Sequence, residues 1–105
     1  MIHIPNTVKI GGFTYRIIKD YVFKERNDLR GQADHSLLEI RIGSIDPNTG
    51  IPYAVEIVEE TFIHEILHCV AVQVVGHELE ESVIIRLGFG LFQVLKDNDI
   101  VQMGK

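Results

Sequence analysis

The 105-residue chain has a single cysteine, Cys69, which excludes an internal disulfide and a cysteine-based zinc cluster. Basic residues are also scarce: ten Lys and Arg stand against fifteen Asp and Glu, a formal net charge of −5. This balance argues against a protein that binds the backbone of nucleic acid. No apolar run approaches the roughly 18 residues of a membrane span, because polar residues such as His64 and His68 interrupt the longest one. The N-terminal residues lack the basic and apolar regions of a signal peptide, so we expect a cytoplasmic protein without a membrane segment.

What the chain does contain suits one small domain over residues 1–105, with a hydrophobic content of 46%. Gly11-Gly12 lies between the segments 8–10 and 13–22, and apolar and polar residues alternate after it, which predicts a β-hairpin. Residues 24–35 are charged and show no period, and we expect a loop there. Apolar and polar residues then alternate over 37–42, which predicts a third strand. The expected fold is therefore α+β, with a small three-stranded sheet followed by helices.

Two helices should follow this sheet. The first should begin near Pro52, which is favoured in a first turn, and stop at Gly76, which is favoured just past a helix end. The second should cover residues 80–96, and residues 100–105 should form a tail. Apolar residues at helical spacing predict the buried stripe of the second helix: Val83, Ile84, Leu87, Leu91, Val94 and Leu95.

The first helix carries the pattern H-E-x-x-H, from His64 to His68. Residues four apart lie on the same face one turn apart, so both imidazoles can reach one metal ion. Glu65 is rotated about 100° from His64, which places its carboxylate beside the metal, where it could take a proton from a water. The pattern would arise in about 2% of shuffled chains of this composition. The pattern alone is therefore not proof of a metal site, but the apolar residues on both sides of it are what a buried active-site helix needs. The alternative is a pair of core histidines that happen to lie four residues apart.

A catalytic zinc usually has three protein ligands, so a third must come from outside this helix. The candidates are Glu78, Glu80 and Glu81 at the head of the second helix and His77 in the linker. Glu80 and Glu81 both share a face with apolar residues of that helix, and periodicity alone does not separate them. Acids in a first turn are also favoured by the helix dipole without any metal.

These segments resemble the minimal gluzincin-type metallopeptidases, relatives of the ImmA/IrrE group that are common in phages and mobile elements. The resemblance runs from about residue 30 to 98 and depends on residues 38–42, 60–68 and 81–88. The last of these is similar to the family helix E-x-x-A-x-x-F-A, a register that selects Glu81 over Glu80. It implies a zincin-like fold, Zn²⁺ held by His64, His68 and Glu81, and Glu65 as general base. A peptide or protein would be the substrate of this hydrolase.

Three points stay open in this prediction. The donor that stabilises the transition state could be His77, Tyr53 or His35. The strand at 37–42 is expected to form the sheet edge, where an extended peptide could pair. The alternatives to a peptidase are a non-catalytic zinc-stabilised module that binds a partner protein, with His77 as a fourth ligand, and a hydrolase acting on a non-peptide amide.

Overall fold

The computed structural model describes residues 3–24, 26 and 28–98, and it has the predicted α+β architecture. Over these residues the elements are β1 (Thr7–Ile10), β2 (Phe13–Ile18), β3 (Gly31–Asp34), β4 (Glu39–Ile42), α1 (Val55–Val70) and α2 (Glu81–Asp97). The described strands form one mixed sheet of four, in the order β1-β2-β4-β3, so the prediction of three strands is wrong. The predicted tail at 100–105 lies outside the described residues.

Strands β1 and β2 form the predicted hairpin. Gly11 and Gly12 both have positive φ, 59° and 90°, and Ile10 pairs with Phe13 across this two-residue turn. Such left-handed backbone is why glycine suits the turn. Along β2, Tyr15 and Ile17 point into the core, with exposures of 0% and 6%. The alternation along β2 therefore matches its two faces.

The additional strand, β3, lies inside the segment predicted as a loop. It pairs antiparallel with β4 and forms one edge of the sheet. Its inward positions are occupied by small residues: a Cβ on Gly31 would lie 2.6 Å from the Thr61 Cγ2, and Ala33 packs on the core. Because glycine and alanine add little hydrophobicity, the period of two was not visible in the sequence.

Strand β4 is an interior strand. It pairs parallel with β2 on one side and antiparallel with β3 on the other, and both Ile40 and Ile42 are buried. The prediction that residues 37–42 form the sheet edge is therefore wrong, because β3 covers that side. The free edge nearest to α1 belongs to β3.

Helix α1 packs its apolar side on this sheet. Phe62 and Cys69 join a core cluster with Tyr15 and Ile40. The helix begins at Val55 rather than near Pro52. At its other end the backbone continues as a π-helical segment, Ala71–Val75, and stops at Gly76, whose φ is 103°. This end is the one predicted from the glycine.

Helix α2 packs against α1 through a narrow stripe in which Ile84 and Gly88 are buried. The wider stripe predicted from periodicity is only partly buried, because four of its residues are 40–50% exposed: Val83, Leu87, Leu91 and Val94. Among the described elements, α2 packs mainly against α1, and one side of its apolar surface stays exposed. No helix in the described ranges is long and apolar enough to cross a membrane.

Candidate metal centre

The two histidines of the motif lie where the helical spacing predicts. His64 and His68 are one turn apart on α1, and their Nε2 atoms are 3.2 Å apart. Their side chains are largely buried, at 18% and 15% exposure. Both rings therefore present the same nitrogen to a common point above the helix.

Glu81, the first residue of α2, completes a cluster with these histidines. Its Oε1 lies 2.8 Å from the His64 Nε2, and its Oε2 lies 3.0 Å from the His68 Nε2. The close approach of the two helices makes this possible: Gly88 of α2 lies directly over α1, so that an added Cβ would be 3.9 Å from the His64 Cα. Glu80 precedes α2 and lies outside the cluster.

The donor set and its spacing fit a zinc ion. The three donor atoms lie within 4.8 Å of one another, and no second group of this kind occurs among the residues that the structure describes. Two imidazole nitrogens and a carboxylate oxygen are a ligand set of catalytic zinc sites. Nitrogens bound tetrahedrally at about 2.0–2.1 Å would be about 3.3 Å apart, close to the separation of the two Nε2 atoms. Little rearrangement would be needed to hold the ion.

Glu65 lies beside this cluster and does not belong to it. It is 6% exposed and packs under the start of β3, where its Oε2 would be 2.9 Å from a Cβ on Gly31. Because Gly31 has no side chain, β3 can approach the carboxylate this closely. The sheet edge therefore covers Glu65, while the adjacent face of α1 presents the histidines.

The surroundings of Glu65 change its acidity. Burial raises the pKa of its carboxyl group to about 7; His68 opposes this rise, whereas Glu81, Glu60 and Glu78 add to it. A carboxyl group with a pKa near neutrality can both take and release a proton at physiological pH. A divalent cation at the cluster would favour the ionised form.

Glu78, in the linker before α2, contacts the other nitrogen of His68. The His68 Nδ1 and the Glu78 Oε1 are 2.9 Å apart. Burial opposes the cationic form of His68, but this hydrogen bond and the nearby carboxylates outweigh burial, so the pKa of His68 is raised. Sequence reasoning considered Glu78 only as a metal ligand and missed this contact. No local pattern signals it, since the two residues are ten positions apart.

The cluster opens into a cleft of about 950 Å³. One wall is β3 with the residues before it, and the other is the exposed side of α2, with Ile85 and Phe89. His64, Glu65 and His68 line the cleft between these walls. The cleft therefore runs between the edge strand β3 and the cluster.

The three residues proposed as transition-state donors occupy different places. His35 and Tyr53 both line the cleft. His77 is exposed outside the cluster, and its Nδ1 lies 3.0 Å from the backbone oxygen of Glu78. The geometry thus keeps His35 and Tyr53 as candidates and places His77 away from the cluster.

Comparison of the chain with known proteins finds no matching family model, no similar curated protein and no similar solved structure.

Proposed function

We propose that this protein is a zinc-dependent metallopeptidase of the gluzincin type, with His64, His68 and Glu81 as zinc ligands and Glu65 as general base. The observation that carries the proposal is the convergence of three donor atoms from two helices on one point in an open cleft. A buried carboxylate next to that point, outside the ligand set, supports a catalytic role over a purely structural one.

Zinc at this position would polarise the scissile carbonyl and activate a water molecule. Glu65 then acts as the base: its carboxylate takes a proton as the water attacks, and delivers it to the nitrogen of the leaving amine. Strand β3 packs on the Glu65 carboxylate and keeps bulk water away from it. In the metal-free chain this burial raises the pKa of Glu65 to about 7, and zinc would favour the ionised form that accepts the proton.

The substrate that best suits the cleft is an extended peptide or a protein segment. β3 is an edge strand whose residues Gly31, Gln32 and Ala33 line the cleft beside the cluster. Edge strands bind extended chains through backbone hydrogen bonds, which would fix one peptide bond over the cluster. The sequence predicted this pairing on residues 37–42, and we now assign it to β3.

The alternative of a closed, non-catalytic zinc module has less support. It needs a fourth protein ligand, and no further His, Cys, Asp or Glu joins the three within the described part of the chain. His77, the proposed fourth ligand, faces the backbone oxygen of Glu78 instead. A cytoplasmic location, an origin in a phage or mobile element and a relationship to the ImmA/IrrE group remain predictions from the sequence.

The test is cleavage by zinc-loaded wild type and the Glu65→Gln variant on a proteome-derived peptide library, with new termini identified by mass spectrometry. Gln cannot accept the proton, so we expect Glu65→Gln to lose cleavage while it retains zinc. Glu56→Gln, an exposed acid in the first turn of the same helix, is the matched control and should cleave like wild type. Cleavage retained in Glu65→Gln, or no cleavage by zinc-loaded wild type, would refute the proposal.

A further inference from the structure

A series of polar side chains leads from the hairpin side of the fold, where they are buried or half-buried, through the exposed Glu78 to the metal centre. The series begins at Gln73 in the π-helical segment. Gln73 packs against the β1–β2 turn, where a Cβ on Gly11 would lie 2.8 Å from the Gln73 Cβ. The Gln73 Nε2 donates to the Tyr15 hydroxyl over 2.8 Å. Tyr15 is fully buried, so this hydroxyl has no access to solvent.

The tautomer of His35 decides the direction of its hydrogen bond with Tyr15. An amide N–H can only donate, so the Tyr15 oxygen accepts from Gln73 and its own proton is available for the His35 Nδ1, 3.0 Å away. A neutral imidazole that accepts at Nδ1 carries its proton on Nε2. The His35 Nε2 faces Glu78, whose Oε2 is 3.8 Å away. This distance is too long for a direct hydrogen bond.

Glu78 itself sets the direction of the hydrogen bond with His68. A carboxylate can only accept, so the His68 Nδ1 donates to the Glu78 Oε1 across their 2.9 Å contact. In the neutral ring the lone pair is then on Nε2, the atom that faces His64 and Glu81. Metal ligation requires this form of the ring, because only an unprotonated nitrogen can bind the ion.

We propose that Glu78 is a positioning residue of the metal centre, which holds His68 in its Nδ1–H tautomer and so presents the Nε2 lone pair to the metal. His35, fixed by Tyr15, restrains Glu78 in turn. The inference rests on the proposed zinc site for its effect on affinity, but the tautomer is a property of the metal-free chain. Glu78 lies in the linker between the two ligand-bearing helices.

The first measurement is zinc affinity, by competition with a chromophoric chelator, for wild type and for the Glu78→Ala and Glu78→Gln variants. Loss of such a carboxylate partner lowers metal affinity by about 10–100-fold, and we expect this for Glu78→Ala. Glu78→Gln keeps an acceptor without the charge and should lose less. Glu80→Ala removes a neighbouring linker carboxylate outside the cluster and should bind like wild type. Unfolding midpoints of the zinc-free proteins verify that each variant is folded.

The second measurement is the tautomer of His68 in zinc-free protein, from long-range ¹H–¹⁵N spectra at about pH 9, above the pKa of imidazole. We expect Nδ1–H in wild type and a shift towards Nε2–H, the form that free imidazole side chains prefer, in Glu78→Ala. A merely structural role of Glu78 would not move this signature. Nε2–H in wild type, or an unchanged tautomer in Glu78→Ala, would overturn the assignment.

The two measurements separate this inference from the proposed function. If wild type binds no zinc but the tautomer shifts as expected, the metal centre is refuted and the role of Glu78 in orienting His68 stands. If wild type and Glu78→Ala bind zinc equally well, the metal centre stands and the positioning role is overturned.

Discussion

Gly31 is the position where the structure makes the sharpest prediction about stability. A Cβ there would lie 2.6 Å from the Thr61 Cγ2 and 2.9 Å from the Glu65 Oε2. Carbon atoms in contact are normally about 3.5–4.0 Å apart, so the methyl group of Gly31→Ala overlaps Thr61 by about 1 Å, and β3 or α1 must shift. Overpacking of this kind costs about 1–3 kcal/mol. In a domain of this size, each kcal/mol lowers the Tm by about 4–8 °C.

The assay is thermal and urea unfolding of zinc-free protein, so that metal binding does not contribute. Gly90→Ala is the matched control: its Cβ would meet no atom within 4 Å, and in a helix interior alanine is favoured over glycine by up to about 1 kcal/mol. The two substitutions should therefore have opposite signs. Thr61→Ser removes the nearest methyl group and keeps the hydroxyl bond to the Ile57 oxygen, so it should recover part of the loss in the double variant. Wild-type stability of Gly31→Ala would refute the close packing of β3 on Glu65.

Three further predictions concern the core and the sheet. Tyr15→Phe leaves the partners of a fully buried hydroxyl unsatisfied and should cost about 1–3 kcal/mol in urea unfolding; unchanged stability would contradict the buried chain of hydrogen bonds. The hydrogen bond from Arg16, supported by Arg41, lowers the pKa of Glu39. The ionised Glu39 carboxylate therefore stabilises the fold above about pH 4.5, and this stabilisation is lost as the pH falls through the pKa of the folded protein. Glu39→Gln should therefore be less stable than wild type at pH 7 and lose less stability on acidification, and parallel pH profiles would count against this. Burial raises the pKa of the Cys69 thiol to about 12, so a disulfide reagent at pH 8 should react only after unfolding; rapid labelling of native protein would disprove this burial.

The parts of the fold that sequence reasoning predicted are those specified by local chemistry. The glycine pair at 11–12 marks a turn, because glycine adopts positive φ without the steric cost of a side chain. Gly76 marks a helix end for the same reason. The spacing of His64 and His68 places both rings on one side of a helix, whatever the rest of the chain does.

Non-local packing decided what sequence reasoning missed. β3 has only small or polar side chains and becomes a strand because β4 and α1 provide its neighbours. Periodicity grouped Val83, Leu87 and Leu91 on one face of α2 but could not say whether another element covers that face. The register of α2 against α1 likewise separates Glu81 from Glu80, a choice that periodicity left open.

The most direct test of the account is the zinc content of protein purified without a chelating tag, measured by elemental analysis for wild type, Glu81→Gln and Glu80→Gln. We expect about one zinc per chain in wild type and in Glu80→Gln, and little in Glu81→Gln, because only Glu81 lies between the two histidines. Zinc retained in Glu81→Gln would contradict the assigned third ligand. A wild-type chain that holds no zinc, even after zinc is added, would contradict the metal centre itself.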